Sequence, residues 1–262
     1  NREMAFRCWQ MGLHIQQDNV FIVALQRTRS GWGLRRWWQL PLPSSAQHDD
    51  AALLAVLKPW RRELPWQHEV RVAFPAHRTL QKNLPLASMT LRDAEQTQWI
   101  ASAMSQQLEM NAESLCFDYH LAESAARWNV TAAQQGDVAR LHHLATALRL
   151  QVTSITPDAC ALQVLVAQSE VQDAVLVWPD HQQWLWASRE GWGHCTFHDA
   201  PSLTQLADWL GINPQRLVRC SSLAAEERCF DPWSAVVQKH PPLPANGDDF
   251  AVALALAMGA SR

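Results

Sequence analysis

The residues closest to a recognisable binding chemistry lie in residues 11–26, MGLHIQQDNVFIVALQ. Apolar residues on both sides of the polar cluster Gln16-Gln17-Asp18-Asn19 indicate two strands joined by a tight turn. A hairpin that holds phosphate uses an acid and a small residue, because glycine lets backbone N–H groups approach the ligand closely. Here the turn has no glycine, and His14 and Gln16 stand at those two positions. The sequence therefore predicts a binding-type hairpin with altered phosphate chemistry.

The cysteines and histidines predict neither a metal site nor a disulfide framework. The stretch His194-Cys195-Thr196-Phe197-His198 offers three metal-capable side chains, but no second cluster has zinc-site spacing. The cysteines have no C-x-x-C pair, so we interpret them as buried thiols in a reducing compartment. They are Cys8, Cys116, Cys160, Cys195, Cys220 and Cys229.

Composition predicts a cytoplasmic globular protein, with 262 residues, 48% of them hydrophobic. The longest apolar run, residues 250–260, is shorter than the roughly 18 residues that cross a bilayer, and no secretion signal opens the chain. A formal charge of −3 argues against direct nucleic-acid binding. The arginines of the first 80 residues are interpreted as a solvated face, with contact to anionic lipid or a partner as the alternative. They are Arg27, Arg29, Arg35, Arg36, Arg61, Arg62, Arg71 and Arg78.

Periodicity predicts an α/β protein of two hairpin-led halves with mixed sheets. Residues 174–187 repeat the layout of the first hairpin without repeating its sequence, and an apolar helix closes the chain. The predicted domains are a first lobe at 4–74, on which 131–170 and a C-terminal helix 250–260 pack, an inserted subdomain at 75–130, and a second lobe at 171–240.

Several stretches, taken in chain order, resemble one bacterial family. They are GLHIQQDNV at 12–20, LPLASM at 84–89, SLCFDYH at 114–120, NVTAAQ at 129–134, LRLQVTSITPDACAL at 148–162, FDPW at 230–233 and FAVALALAMG at 250–259. Their order resembles the PilM family of type IV pilus assembly proteins, and within it the enterobacterial HofM branch of DNA utilization proteins. The resemblance implies the actin-like ATPase (ribonuclease H-like) fold, with a small subdomain inserted in the first lobe and a shortened second lobe.

The resemblance also implies a partner and a location. Family members are adaptors at the cytoplasmic face of the inner membrane. They bind the cytoplasmic tail of a PilN or HofN type membrane protein in pilus or DNA-uptake machinery. Relatives that bind ATP hold it through three loops: an Asp-x-Gly in each of the two hairpins and a Gly-Gly turn that receives the adenosine.

All three nucleotide loops are degenerate in this chain. The positions are Gly12 (retained), His14 and Gln16 in the first loop, Val177 and Pro179 in the second, and Ser221 and Ser222 in the third. Proline has no N–H to donate to a phosphate, and neither valine nor neutral histidine supplies the hard oxygen that magnesium needs. The sequence therefore predicts a pseudo-ATPase with no catalytic residues, no cofactor and no metal.

Three functions are weighed, one of which, direct handling of DNA, draws only on the name of the family branch and on the arginine-rich first part. The first is a peptide-binding adaptor whose groove lies near the insert, with its residues unknown. The alternative is a nucleotide-dependent ATPase or switch in which His14 and Asp180 hold phosphate. Asp158 is interpreted as a helix N-cap, with a cleft residue as the alternative. The segment LKPWRRELP at 57–65 resembles the partner's tail; we interpret it as a helix end, with self-association as the alternative.

Overall fold

The computed structural model describes residues 8–122, 126–223, 228–240 and 242–259. The chain divides into two compact units. The larger takes the chain up to Ala76 and again from Leu144, and the smaller spans His77–His143. Among the described residues, no helix is long and apolar enough to span a membrane. Residues 4–7 of the predicted first lobe and residue 260 of the predicted last helix lie outside the described ranges.

The described residues form fourteen strands and seven α-helices. The strands are β1 (Trp9–Ile15), β2 (Asn19–Thr28), β3 (Gly31–Pro41), β4 (His68–Phe74), β5 (Thr79–Pro85), β6 (Leu115–Leu121), β7 (Arg127–Gln134), β8 (Val152–Pro157), β9 (Val175–Pro179), β10 (Gln183–Ala187), β11 (Trp192–Thr196), β12 (Leu217–Cys220), β13 (Cys229–Phe230) and β14 (Val236–Lys239). The helices are α1 (Asp50–Arg62), α2 (Asp93–Leu108), α3 (Gln135–Ala147), α4 (Asp158–Ala161), α5 (Gln163–Val166), α6 (Leu203–Leu210) and α7 (Ala251–Met258).

The first sheet of the larger unit has six strands in the order β14-β3-β2-β1-β4-β8. Strands β1 to β3 form an antiparallel meander, whereas β4, β8 and β14 each pair in parallel, so the sheet is mixed as predicted. Strand β14 lies within the residues predicted as second lobe, yet it pairs with β3 of the first sheet. That boundary is corrected by the pairing, which a four-residue strand does not reveal in its sequence.

Helix α7 is buried along its whole length, because all eight of its residues are apolar. It packs on β1, β2 and β4. Gly12 makes this approach possible: a Cβ added there would lie 2.8 Å from the carbonyl carbon of Ala253 and 2.8 Å from Leu256 Cβ. Arg71 closes the helix end by donating from Nη1 to the carbonyl oxygens of Leu256 and Ala257, at 3.2 and 3.3 Å.

The second sheet of the larger unit has the order β11-β10-β9-β12-β13. Its two faces build two cores because alternate residues of a strand point to opposite sides. Leu176 and Trp178 belong to the core that contains α7, whereas Val175 and Val177 belong to a second core with Leu206 of α6. Ser202 caps α6 by accepting the N–H of Gln205.

The smaller unit is a three-stranded sheet, β5-β7-β6, packed on α2. Its buried core is Leu84, Ile100, Met104, Val130 and Ala132. The unit extends beyond the predicted insert, 75–130, because β7 continues to Gln134 and α3 begins at the next residue. Residues 131–143, predicted to pack on the first lobe, therefore belong to the smaller compact unit.

Candidate functional site

The first degenerate loop is built around a buried histidine. His14 lies on β1 with 2% of its surface exposed, and its ring centroid is 5.7 Å from that of Trp178 on β9. The side-chain nitrogen of Gln16 lies 2.6 Å from His14 Nε2. Burial lowers the pKa of His14 from 6.5 to about 4; Asp180 acts to raise it and His181 acts to lower it. His14 is therefore neutral at pH 7 and brings no positive charge to the site.

In the second degenerate loop, a carboxylate is hydrogen-bonded to groups of the loop itself. Val177 is fully buried on the face of β9 opposite Trp178, so it does not face His14. Pro179 ends β9 opposite Trp184 of β10. In the turn that follows, Asp180 accepts the N–H of His181 at 2.7 Å and an amide N–H of Gln183 at 3.2 Å. Of the two predicted positions, Val177 belongs to the core and Pro179 to the hairpin end.

The third degenerate loop is engaged by a residue that sequence reasoning missed. Asp248 accepts the hydroxyl of Ser221 at 2.9 Å through Oδ2 and the backbone N–H of Ser222 at 2.7 Å through Oδ1. Its backbone carbonyl accepts the indole N–H of Trp178 at 2.8 Å. Asp248 thus joins the third loop to the tryptophan whose ring packs, tilted by 57°, against His14. The available signal was an Asp-Asp pair directly before an apolar helix.

Three tryptophans hold the segment from Pro242 to Asp248 in place. The indole N–H of Trp37 donates to the carbonyl of Pro242, and that of Trp233 to the carbonyl of Gly247, each at 2.9 Å. Trp178 supplies the third bond, to Asp248. The segment is therefore fixed by the polar edges of rings whose apolar bodies pack in the core.

Asp158, weighed as an N-cap or a cleft residue, has a different role at the helix start. The N-cap of α4 is Pro157, so the cap interpretation is wrong. The Asp158 carboxylate accepts the N–H of Ala76 at 3.0 Å and of Ala159 at 2.7 Å, and only 4% of the residue is exposed. The pKa of Asp158 is raised to about 7, mainly by burial and to a lesser extent by Asp180, against the opposing effect of the two N–H groups. Asp158 ties the turn that follows β4 to the start of α4.

The charges around the three loops are mainly negative. Asp180 acts on the pKa of both His14 and Asp158, and the pKa of Asp249 is raised by burial and by Asp248. Carboxylates so placed repel a phosphate unless a cation lies between them. Among the residues that the structure describes, no three His, Cys, Asp or Glu side chains are grouped as metal ligands.

The structure brings together four of the seven positions predicted from the sequence. His14 and Gln16 contact each other, Ser221 and Ser222 both contact Asp248, and Trp178 connects the two pairs. Gly12 faces helix α7, where it permits close packing. Leu57 and Trp60 of the segment that resembles a partner tail are buried, as a helix end requires.

Comparison with known proteins gives a relative and a fold. No family model matches the chain. The DNA utilization protein HofM of Escherichia coli strain K12 is 44% identical over 261 residues, which cover 98% of this chain and 99% of HofM.

Two solved structures have the same fold. A PilM–PilN type IV pilus biogenesis complex matches with a TM-score of 0.67 and 14% identity over 95% of this chain and 97% of the other. The cytoplasmic domain of EpsL, an inner-membrane component of the Vibrio cholerae type II secretion system, matches with a TM-score of 0.59 and 12% identity, over 94% and 92%. The predicted actin-like α/β fold is confirmed. The chain belongs to the HofM family of DNA utilization proteins, and its fold is that of the PilM–PilN match.

Proposed function

We propose that this chain is a nucleotide-independent adaptor at the cytoplasmic face of the inner membrane, where it binds the cytoplasmic tail of a PilN-type membrane protein. The observation that carries the proposal is the Asp248 carboxylate on Ser221 and Ser222. This carboxylate already accepts the hydroxyl and the backbone N–H through which the third loop would hold a ligand. Family membership with HofM and the fold shared with PilM of a PilM–PilN complex support the partner class.

The other two loops support the same proposal. His14 is neutral, and its Nε2 already lies 2.6 Å from the side-chain nitrogen of Gln16. Pro179 has no N–H, and the Asp180 carboxylate is bonded within its own turn. The residues present therefore do not fit a magnesium nucleotide. The adaptor accordingly works without ATP hydrolysis.

The smaller unit offers the surface on which we place the tail. It carries two adjoining cavities of about 650 and 400 Å³, both lined by Met110 and Gln134. The larger is also lined by Ala139 of α3, and the smaller by Leu80 of β5, a leucine with 43% of its surface exposed. Concave sites with apolar walls and a few polar groups are typical of ligand recognition. An apolar anchor of the tail fits here.

The sheet beside these cavities has edges that can accept an extended chain. Strand β7 is central, so β5 and β6 each pair on one side only within the three-stranded sheet. Strand addition provides main-chain hydrogen bonds for affinity, and an adjoining pocket provides side-chain selectivity. The ion pair of Arg78 with Asp137, at 3.5 Å, places both signs of charge at the smaller cavity.

The test is a calorimetric titration with a synthetic peptide that copies the cytoplasmic tail of the cognate PilN-type protein, with and without magnesium-ATP. We expect equal affinity in both conditions. Ala139→Glu should weaken binding about tenfold or more, equivalent to ~1.4 kcal/mol, because the added side chain enters the larger cavity. His143→Glu, exposed one helical turn along α3, is the matched control. Binding that requires nucleotide contradicts the adaptor, and unaltered binding by the Ala139 variant contradicts the placement.

The alternative function, a nucleotide-dependent switch, has one specific observation in its favour. The charge of Asp180 acts on the pKa of Asp158, and both side chains carry oxygen, the ligand atom that magnesium prefers. A switch predicts that magnesium-ATP raises the melting temperature, because a ligand that binds only the native state stabilises it. The adaptor predicts an unchanged melting temperature at millimolar nucleotide.

A further inference from the structure

The chain exposes one tryptophan to an unusual degree. Trp66, in the turn between α1 and β4, has 84% of its surface exposed, the largest value among the exposed large apolar residues of the described chain. Three exposed cations belong to the adjoining helix and turn: Lys58 and Arg62 on α1, and Arg149 after α3. We call these four residues the basic tryptophan edge.

Hydrogen bonds hold the two turns of this edge together. Arg61 donates from Nε to the carbonyl of Leu148 at 2.9 Å and from Nη2 to that of Arg149 at 3.3 Å. His68, 1% exposed, has Nδ1 2.9 Å from the carbonyl of Pro65 and accepts the N–H of Gln151 at Nε2 over 3.4 Å. A neutral His68 with its proton on Nδ1 satisfies both bonds. Trp66 therefore projects from a base that is fixed on both sides.

The charge of the edge is positive. Lys58 and Arg62 are four residues apart on α1, so they lie on the same helix face. Glu63, the nearest acid in sequence, is already paired with Arg36 at 2.7 Å. The one further acid nearby in sequence is Glu69, half-buried on β4.

We propose that the basic tryptophan edge docks directly on anionic phospholipid headgroups. Indole rings favour the membrane interface, where the apolar body meets lipid and the N–H stays hydrated. Lysine and arginine side chains next to such a ring add attraction to an anionic leaflet. A ring that is 84% exposed projects outward, whereas peptide anchors are bound in concave pockets. The contact is separate from the partner-tail site, which lies on the smaller unit.

The test is flotation of the purified full chain with vesicles of phosphatidylcholine alone or mixed with phosphatidylglycerol, with no peptide present. We expect binding only to the anionic vesicles, and binding that weakens as salt rises. Lys58→Gln and Arg62→Gln should each lower the partition coefficient about fivefold. Trp66→Ala should lower it by a similar factor or more.

Two exposed residues outside the edge serve as matched controls. Trp209→Ala, on α6 and 50% exposed, and Arg189→Gln, in the turn between β10 and β11, should bind like wild type. The proposal is overturned if anionic vesicles bind nothing at low salt, or if the edge variants bind as well as the controls. It is also overturned if Trp66→Ala changes the sedimentation coefficient and not the partition, since the edge then contacts a second copy of the chain. These outcomes leave the peptide proposal unaffected, because no peptide enters the assay.

Discussion

Replacement of Gly12 by alanine distinguishes a ligand role for this glycine from a packing role. If Gly12 were kept so that a phosphate could approach, a methyl group would reduce binding and leave folding intact. The structure gives it another role, because the absent Cβ makes room for the backbone of α7. We therefore expect Gly12→Ala to destabilise the fold with no ligand present.

The magnitude follows from what the methyl group would meet. An ideal Cβ lies 2.8 Å from the Ala253 carbonyl carbon and from Leu256 Cβ, and it lies still closer to the Ala253 carbonyl oxygen. Ordinary carbon contacts are about 3.5–4.0 Å, so α7 must move away from β1. The helix is buried on every side and cannot move freely. Overpacking costs about 1–3 kcal/mol, and contact with backbone places this variant at the upper end, about 3 kcal/mol.

Urea denaturation followed by tryptophan fluorescence is the assay. A loss of about 3 kcal/mol with an m-value near ~3 kcal/mol per molar lowers the midpoint by about 1 M. Gly136→Ala is the matched control, because nothing lies within 4 Å of a Cβ added there in α3. That variant should keep the midpoint or gain up to about 1 kcal/mol from helix propensity. A wild-type midpoint for Gly12→Ala would refute the packing argument.

Three further predictions concern the loops. Asp248→Ala should lower the free energy of unfolding by about 1–3 kcal/mol, because the buried Ser221 hydroxyl loses its partner. Urea denaturation measures this loss, and a loss no greater than that of Asp249→Ala would contradict the prediction. Because the folded pKa of Asp158 is about 7 and its ordinary value 3.8, its contribution to stability is present below pH 3.8 and lost as pH rises to 7. Between pH 5 and 8, wild type should lose about 2–3 kcal/mol relative to Asp158→Asn, and equal slopes in pH-dependent melts would contradict it. The pKa of His14 is lower in the folded state than in the unfolded state, so its contribution to stability is present above pH 6.5 and lost as pH falls to about 4. The loss amounts to about 3 kcal/mol, and His14→Leu should remove it in the same melts.

Strong local signals in the sequence anticipate much of the fold. The alternation around Gln16 to Asn19 predicts the first hairpin, and β1 and β2 enclose that turn. Helix α6 begins after a residue type that favours helix starts, since the side chain of Ser202 accepts the N–H of Gln205. A uniformly apolar stretch predicts a buried helix, and α7 is buried on all sides. In each case one local property, alternation, capping or uniform apolarity, is enough.

Properties that depend on distant parts of the chain were not predictable. Strand β14 joins the first sheet through a partner about 200 residues earlier, which no local pattern reveals. Asp248 meets the third loop through the fold alone, because 26 residues separate it from Ser222. Trp178 was one of 14 tryptophans, and nothing in its local sequence marked it as the residue between His14 and Asp248. The residue types in the loops are visible in the sequence, whereas the contacts that these residues make within the fold are not.

The internal contacts of the three loops have a common physical cause. The loops carry backbone and hydroxyl donors, and leaving a buried donor unpaired costs about 1–3 kcal/mol. Ser221 is buried, and its hydroxyl donates to Asp248. The Asp180 carboxylate accepts an N–H from its own turn, and the side chain of Gln16 contacts neutral His14. Restoring one aspartate or glycine would therefore not restore nucleotide binding, because the donors would first have to leave internal partners. A variant with both Asp248→Ala and Gln16→Gly should still give no melting shift with magnesium-ATP, since Val177 faces the core and Pro179 supplies no N–H.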